Sequence, residues 1–286
     1  MQRPTCTLTA IFAAAGTAAL SGAAVAEVTA TRTLEESVSV EGAPPLVIVK
    51  NIHGDVRVTA HDRNTVEMTA TETITGDLQA DLDRARAEVE LRTESEPGRV
   101  AFRVGRVGED GGSNCGCSWW QDYRVRYDIE VRVPRDAAVD LSTVNDGEVT
   151  VESVRGALEV RNVNGDVDLR GVRGAGTVTT VNGTIEAAFE EAPRDGVSFK
   201  TVNGEIDVTF PENLSADLRL KTLHGDLYTD FDTTAVSAQP TGQRTRERGA
   251  FVMRMESSPT LRVGGGGPVY SFETLNGDVY IRKGAR

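Results

Sequence analysis

The chain has 286 residues, of which 39 % are hydrophobic and 26 % are charged, so it contains enough apolar material for a folded core. Its formal net charge of −12 argues against a nucleic-acid partner, because phosphate backbones are bound by an excess of positive charge. Aromatic residues make up only 5 %, so the core must consist mainly of Val, Leu, Ile and Ala.

The N-terminus has the pattern of a secretory signal peptide. Arg3 precedes an apolar stretch from Leu8 to Leu20, and Ala24-Val25-Ala26 forms an A-x-A cleavage site. We therefore predict that residues 1–26 are removed. The alternative is a membrane anchor, for which this Ala- and Gly-rich stretch is short, since a span needs about 20 residues. No later segment is apolar enough to span a membrane, so the mature chain is predicted to be periplasmic or extracellular.

Residues 27–134 are predicted to form an N-terminal β region with one short helix. The apolar residues of the helix follow one another at helical spacing: Leu78, Leu82, Ala85 and Val89. Such a helix can cover the open edge of a stack of strands, which would otherwise recruit other chains. The segment from Tyr123 to Val133 alternates between apolar and charged residues and is ended by Pro134, which predicts a long strand.

A loop rich in Gly, Cys and Trp lies inside this region. Secretion would place Cys115 and Cys117 in an oxidising compartment, where they could form a local disulfide because Gly116 permits the necessary bend. Free thiols and a metal site are the alternatives, but thiolate metal sites usually need about four ligands. No cofactor is therefore predicted. The adjacent Trp119 and Trp120 are candidates for contact with a sugar ring or a protein, and the alternative is that they pack on the edge of the core.

Residues 135–286 are dominated by an internal repeat. Glycines recur every nine residues from Gly147 to Gly183, and every second one follows an aliphatic residue and Asn. These recurring corner residues are Asn164, Gly165, Asn182, Gly183, Asn203, Gly204, His224, Gly225, Asn276 and Gly277. The intervening glycines have a Val-Arg-Gly setting, so the repeating unit is about 18 residues long and lengthens to about 21 in later copies.

Between the corners, apolar residues alternate with polar ones, which predicts strands with one buried face. A meander of hairpins would satisfy this alternation, since Asn-Gly is a common hairpin turn. Hairpins, however, do not require like corners to recur at a fixed interval. Stacked coils do, because each corner then lies on its equivalent about 4.8 Å away. The predicted fold class is therefore mainly β, a parallel β-solenoid or β-helix with coils of ~18–21 residues and a short capping helix. The copy at Asn276 is predicted to close the stack.

Several of these segments together resemble a known family. They are Val133-Pro134 at the end of the long strand, the recurring Thr-Val-Asn-Gly corners, the stretch from Gly264 to Pro268, and Leu275-Asn276-Gly277-Asp278-Val279. From about Leu34 to Ile281 the chain resembles the bacterial secreted β-strand-repeat proteins described as adhesins and catalogued as domain of unknown function 4097. The resemblance implies a β-solenoid-like fold in the cell envelope and implies no catalytic residues.

The predicted function is that of a non-enzymatic envelope protein with a structural or adhesin-like role, which presents a repetitive surface to an envelope protein or glycan. The corner Asn, Gly and His residues are predicted to hold the scaffold. One alternative is a polysaccharide-active enzyme, because acidic residues follow the corners and could line one face. These are Asp166, Asp168, Glu186, Glu205, Asp207, Asp226 and Asp278. A calcium-stabilised repeat is the other alternative, although the paired glycines of that motif are missing.

Overall fold

A computed structural model describes residues 9–11, 27–108, 122–237, 244–247, 250–253 and 260–284 of the chain. The described residues are mainly β, with one helix, α1 (Gln79–Glu88). The strands in chain order are β1 (Thr9–Ile11), β2 (Val28–Ser39), β3 (Leu46–Lys50), β4 (Val56–His61), β5 (Thr65–Gly76), β6 (Val89–Glu96), β7 (Arg99–Arg106), β8 (Tyr123–Pro134), β9 (Ala138–Ser142), β10 (Val149–Glu152), β11 (Leu158–Arg161), β12 (Val167–Val172), β13 (Gly176–Thr179), β14 (Ile185–Phe189), β15 (Val197–Lys200), β16 (Ile206–Phe210), β17 (Ala216–His224), β18 (Leu227–Thr229), β19 (Thr233–Ser237), β20 (Arg244–Glu247), β21 (Ala250–Met253), β22 (Thr260–Val263), β23 (Val269–Asn276) and β24 (Val279–Lys283).

Two sheets enclose a single apolar core. Sheet A has the order β1-β2-β5-β8-β4-β10-β12-β14-β16-β24-β18-β21-β20. Sheet B has the order β19-β22-β17-β23-β15-β13-β11-β9-β3-β7-β6. The chain alternates between the sheets from β9 to β18, so that each coil contributes one strand to each sheet. Strands from both sides of the predicted boundary at residues 134–135 belong to the same two sheets.

The middle of each sheet is parallel and in register, apart from a β-bulge between Arg170 and Val172 where β12 pairs with β14. Successive strands of sheet A place equivalent aliphatic residues side by side, in the order Val56, Val149, Val167, Ile185, Ile206 and Val279. Along most of these strands the side chains alternate between core and solvent, as in β14, where Ile185 and Phe189 are buried and Glu186 is exposed. In β10, Thr150 is buried as well as Val149 and Val151. This alternation is the predicted period of two, and it fixes the register because a slip of one residue would expose the whole apolar set.

The copy at Asn276 does not close the stack, so that prediction is wrong. Strand β23 lies between β15 and β17, and β24 lies between β16 and β18, with parallel pairing on both sides. The chain therefore forms the β17–β18 coil first and later returns to fill the gap that this coil leaves. The outer edges of β17 and β18 are covered instead by the antiparallel strands β22 and β21.

The opposite end of the stack also changes from parallel to antiparallel pairing. Strand β8 is parallel to β4, but β5 is antiparallel to β8 and β2 is antiparallel to β5. The predicted long strand is β8, whose apolar side is buried from Val125 to Val133. Helix α1 follows β5, begins one residue later than predicted, and buries Leu82 and Ala85. Its first turn is held by the Asp81 carboxylate, which accepts the backbone N–H of Leu78 at 2.9 Å.

Candidate functional site

The predicted corner residues form a continuous column along one edge of the stack. Each Asn side chain donates its Nδ2 hydrogen to Oδ1 of the Asn in the neighbouring coil, in one constant direction. The distances are 3.1 Å for Asn164 to Asn145 and 2.8 Å for Asn182 to Asn164, Asn203 to Asn182 and Asn276 to Asn203. His224 is the next residue of the column beyond Asn276, and His53 is the residue before Asn145. Burial lowers the pKa of His53, which favours its neutral form.

Close contact between coils explains the glycine that follows each Asn. A Cβ atom built on Gly183 would lie 2.1 Å from the carbonyl oxygen of Gly165, and one built on Gly204 would lie 1.9 Å from that of Gly183. The same holds for Gly225 against Gly277, at 2.0 Å. No side chain fits at these positions, so the corner glycines are needed for the approach of one coil to the next.

A second column of hydrogen bonds was missed by the sequence reasoning. The residue two positions before each corner Asn or His is a Thr or an Asn whose side chain donates to the glycine carbonyl of the preceding coil. Thr180 donates to Gly165 at 3.0 Å and Thr201 donates to Gly183 at 3.1 Å. Asn162 takes the same position and donates to the carbonyl of Gly147 at 2.8 Å. The recurrence of Thr before the corners was the available signal, but sequence alone did not show that these side chains are buried donors.

The acidic residues that follow the corners are largely engaged within the stack. Asp166 accepts the backbone N–H of Thr184 in the next coil at 2.7 Å, and Asp278 accepts that of Asp226 at the same distance.

Further along the strands, Asp168 pairs with Arg170 and Asp207 pairs with Arg282 through Nε at 2.8 Å. Glu186 lies between these two aspartates on the outer face of sheet A and is exposed. The row is therefore a flat, largely neutralised surface rather than a cleft in which two carboxyl groups converge on a bond.

The predicted contact residues Trp119 and Trp120 and the predicted disulfide partners Cys115 and Cys117 lie outside the described residues. Within the described ranges, no group of three or more His, Cys, Asp or Glu side chains is arranged to hold a metal ion. In that same part of the chain, no helix combines the length and apolar character needed to cross a bilayer.

A polar groove lies on the outer face of sheet A where parallel pairing gives way to antiparallel pairing. It has a volume of about 720 Å³ and is formed mainly by β4, β5 and β8. Its lining includes the polar and charged side chains of Arg57, Thr59, Thr69, Thr71, Glu130 and Arg132. A regular parallel stack presents flat faces, so a depression arises only where the strands leave that regular arrangement, as they do here.

Some charged side chains of the groove are paired within the protein, and others have no described ion-pair partner. Arg57 is 3.8 Å from Glu152, a long and exposed ion pair that contributes little to stability. At one end, Asp128 is held by Arg126 at 2.8 Å. Arg132 and Glu130 are exposed and have no ion-pair partner among the described residues. These two side chains can therefore hydrogen-bond to a ligand without first breaking an internal pair.

The turn between β4 and β5 separates this groove from a smaller cavity of about 270 Å³. The His61 ring forms hydrogen bonds to the backbone of this turn. Its Nδ1 accepts the backbone N–H of Arg63 at 3.1 Å, so its Nε2 carries the proton and donates to the carbonyl of Thr65 at 3.0 Å. His61 thus has a structural role in this turn. The ion pair of Arg135 with Asp62 closes the other side of the turn.

A pair of stacked tyrosines lies at the far end of the same sheet face. The rings of Tyr228 and Tyr280 are stacked with their centroids 4.8 Å apart, and the guanidinium of Arg282 lies 5.1 Å from the Tyr280 centroid. Both faces of the Tyr280 ring are therefore occupied, whereas a sugar would need a free face. The stack extends the internal ladder of the sheet.

Comparison with known proteins identifies the repeat. Residues 128–251 match the family model described as Toastrack DUF4097. This segment is similar to Toastrack domains. The predicted family resemblance is thereby confirmed, over a shorter stretch than the predicted Leu34 to Ile281. No curated protein matches the sequence.

Two solved structures resemble the chain at low sequence identity. One is described as a "putative cell adhesion protein" from Clostridium sporogenes, with 9 % identity, a TM-score of 0.44, and coverage of 89 % of this chain and 100 % of that one. The other is described as a "putative adhesin" from Bacteroides fragilis, with 10 % identity, a TM-score of 0.38, and coverage of 88 % and 96 % respectively.

Proposed function

We propose that this protein is a secreted, non-enzymatic envelope protein that binds a chain-like polar ligand, an envelope glycan, in the groove on the outer face of sheet A. Its Toastrack domain would serve as a rigid parallel β-solenoid that positions the groove. Residues 1–26 would be the cleaved leader, which places the mature chain in the periplasm or outside the cell. The observation that carries the proposal is the groove itself, with Arg132 and Glu130 available for contact.

The lining of the groove suits sugar hydroxyls. The hydroxyls of Thr69 and Thr71 both donate and accept hydrogen bonds, and the Glu130 carboxylate accepts them. Arg132 supplies a planar set of donors. Thr69 is exposed and Thr71 is partly exposed, so both hydroxyls are accessible from solvent. An acidic group on the glycan would pair with Arg132. The internal use of Asp166, Asp168, Asp207 and Asp278 supports a binding role over glycosidic cleavage.

The experiment is a binding measurement with the mature chain and purified bacterial envelope polysaccharides or peptidoglycan. The variant Arg132→Glu is expected to weaken binding about tenfold, which corresponds to the loss of one charge-assisted contact. Arg219→Glu is the matched control, because Arg219 is also an exposed arginine without a described ion pair but lies on the outer face of sheet B. Equal binding by the two variants would contradict the proposal, as would the release of new sugar ends during incubation.

Trp119 and Trp120 remain proposed contact residues of the same partner. Replacing both by Ala is expected to weaken binding while leaving the far-ultraviolet circular dichroism unchanged. A loss of folded structure would instead assign the two residues to packing. The proposed disulfide between Cys115 and Cys117 is tested separately, by counting free thiols in the secreted protein by mass spectrometry.

A further inference from the structure

Among the residues that the structure describes, strand β2 forms an edge of sheet A that is almost entirely free on one side. Toward the centre of the sheet it pairs antiparallel with β5 along all of its 12 residues. On its outer side the only described strand that it meets is β1, over three residue pairs from Thr33 to Glu35. Strand β1 lies within the leader that is proposed to be removed. The mature chain would therefore present a long row of unpaired backbone N–H and C=O groups, which is a template for another strand.

Most side chains on the core-facing side of β2 are only half-buried, although Val38 is buried, and two charged ones are incompletely paired. Arg32 contacts Glu72 through Nε at 2.5 Å and through Nη2 at 2.7 Å, which leaves its Nη1 donors for another acceptor. Oε2 of Glu36 is buried and has no hydrogen-bond partner among the described residues. Leu34, between these two residues on the same face, packs only partly against the core. Arg32, Leu34 and Glu36 thus form one row in which a positive charge, an apolar side chain and a negative charge can contact a second strand.

We propose that β2 of one mature chain pairs antiparallel with β2 of a second copy, with Leu34 at the centre of the two-fold axis. In this register Arg32 of each copy lies opposite Glu36 of the other, and Ala30 lies opposite Val38. The buried Glu36 oxygen then receives a guanidinium donor, twice by symmetry. On the opposite face, Thr33 lies opposite Glu35, so no like charges meet.

Neighbouring registers are less favourable, which makes the pairing specific. Centring the axis on Thr33 would place Arg32 opposite Leu34 and Ala30 opposite Glu36, leaving both charges beside apolar groups. Centring it on Glu35 would bring two Glu35 carboxylates together, and like charges directly opposite each other destabilise a sheet. The register centred on Leu34 alone pairs opposite charges and apolar groups at the same time.

The leader strand covers the centre of this interface. Ala10 of β1 lies opposite Leu34, with Thr9 and Ile11 opposite Glu35 and Thr33. The edge therefore accepts an antiparallel strand at the position where the second copy would bind. While the leader is attached it blocks pairing between copies, and its removal exposes the edge. This interface is separate from the groove, so it stands independently of the proposed ligand.

The first experiment measures the oligomeric state of the chain secreted through its own leader, after the mass of the product shows where it begins. Sedimentation equilibrium over a concentration series is expected to show a dimer of the cleaved chain. Glu36→Arg replaces both opposite-charge pairs by like-charge pairs and should raise the dimer dissociation constant about 50-fold. Glu35→Arg makes the same charge change on the opposite face, beside Thr33 of the second copy, and should have little effect.

The second experiment tests the register by oxidative cross-linking in a Cys115→Ser/Cys117→Ser background. Leu34→Cys places two thiols opposite each other on the axis and should give a covalent dimer. Thr33→Cys alone lies opposite Glu35 and should not cross-link with itself, but it should cross-link when mixed with Glu35→Cys. A cleaved product that stays monomeric would overturn the proposal, as would a secreted product that keeps β1, because the edge of β2 would then remain covered. A dimer equally insensitive to Glu36→Arg and Glu35→Arg, with unchanged circular dichroism, would also overturn it.

Discussion

Replacing Gly183 by Ala should disrupt the stack at its centre. The new Cβ would lie 2.1 Å from the carbonyl oxygen of Gly165, whereas real Cβ contacts essentially never fall below 3.0 Å. The obstructing atom belongs to the backbone of the neighbouring coil, so no side chain can rotate away. The two coils must therefore separate locally by about 1 Å, in a fold whose strands are held at about 4.8 Å by the ladder bonds.

The cost follows from the bonds that join these two coils at the corner. Thr180 Oγ1 donates to the Gly165 carbonyl at 3.0 Å, and Asn182 Nδ2 donates to Asn164 Oδ1 at 2.8 Å. Each such bond contributes about 0.5–1.5 kcal/mol to the free energy of unfolding, and overpacking costs about 1–3 kcal/mol in addition. We therefore expect a destabilisation of about 2–6 kcal/mol. This is a large part of the ~5–15 kcal/mol that stabilises a typical folded protein.

The assay is urea unfolding followed by far-ultraviolet circular dichroism, with Gly105→Ala as the matched control. Gly105 lies in strand β7 and does not have a positive φ, and a Cβ added there would have no other atom within 4 Å. Its replacement should change the free energy of unfolding by less than about 1 kcal/mol. Similar midpoints for the two variants would show that contact between corner backbones does not hold the coils together.

Three further predictions concern the same stack. Asn182→Ala removes two exposed ladder bonds of 2.8 Å each and should lower the free energy of unfolding by about 1–2 kcal/mol in the same urea assay. An unchanged midpoint would mean that the Asn ladder does not contribute to stability. His224→Asn places an amide beside Oδ1 of Asn276, so it should extend the ladder and raise the midpoint slightly, and a lower midpoint would refute this. Burial raises the pKa of Tyr270 to about 12, and its hydroxyl donates to the carbonyl of Pro193 at 2.6 Å. The unfolded phenol ionises near pH 10, so this contribution to stability is complete below pH 10 and is lost as the pH rises toward 12. The Tyr270→Phe variant should therefore lose less stability than the wild type between pH 10 and pH 12. Urea midpoints measured at each pH test this.

The strands of the repeat could be predicted from the sequence because their side chains have one buried face. Alternation in segments such as Ile185–Phe189 and Ile206–Phe210 appears directly as strands β14 and β16. The spacing of the corners likewise determined which residues lie side by side, since Asn164, Asn182 and Asn203 form one column. Both features are local or strictly periodic, and such patterns can be read without knowledge of the rest of the fold.

The order of the coils could not be predicted in the same way. The copy at Asn276 has the same apolar pattern as its neighbours, so periodicity does not distinguish a position at the end of the stack from one inside it. What decides the order is the antiparallel pairing of β21 and β22 with β18 and β17, which occupies the outer edges. The groove was missed for a related reason, because β4, β5 and β8 come together only through long-range pairing.

The regular and irregular parts of the molecule differ in how their polar groups are used. In the repeat, the polar side chains that recur in nearly every copy form hydrogen bonds to the neighbouring coil. The Asn amides bond to each other, Thr180 and Thr201 donate to glycine carbonyls, and Asp166 accepts a backbone N–H. A group already hydrogen-bonded within the stack must lose that bond before it can bind a ligand. The available groups, Arg132 in the groove and Glu36 on the edge of β2, lie where parallel stacking ends. We therefore expect ligand and partner binding at the N-terminal end of the stack, while the repeat provides a rigid support.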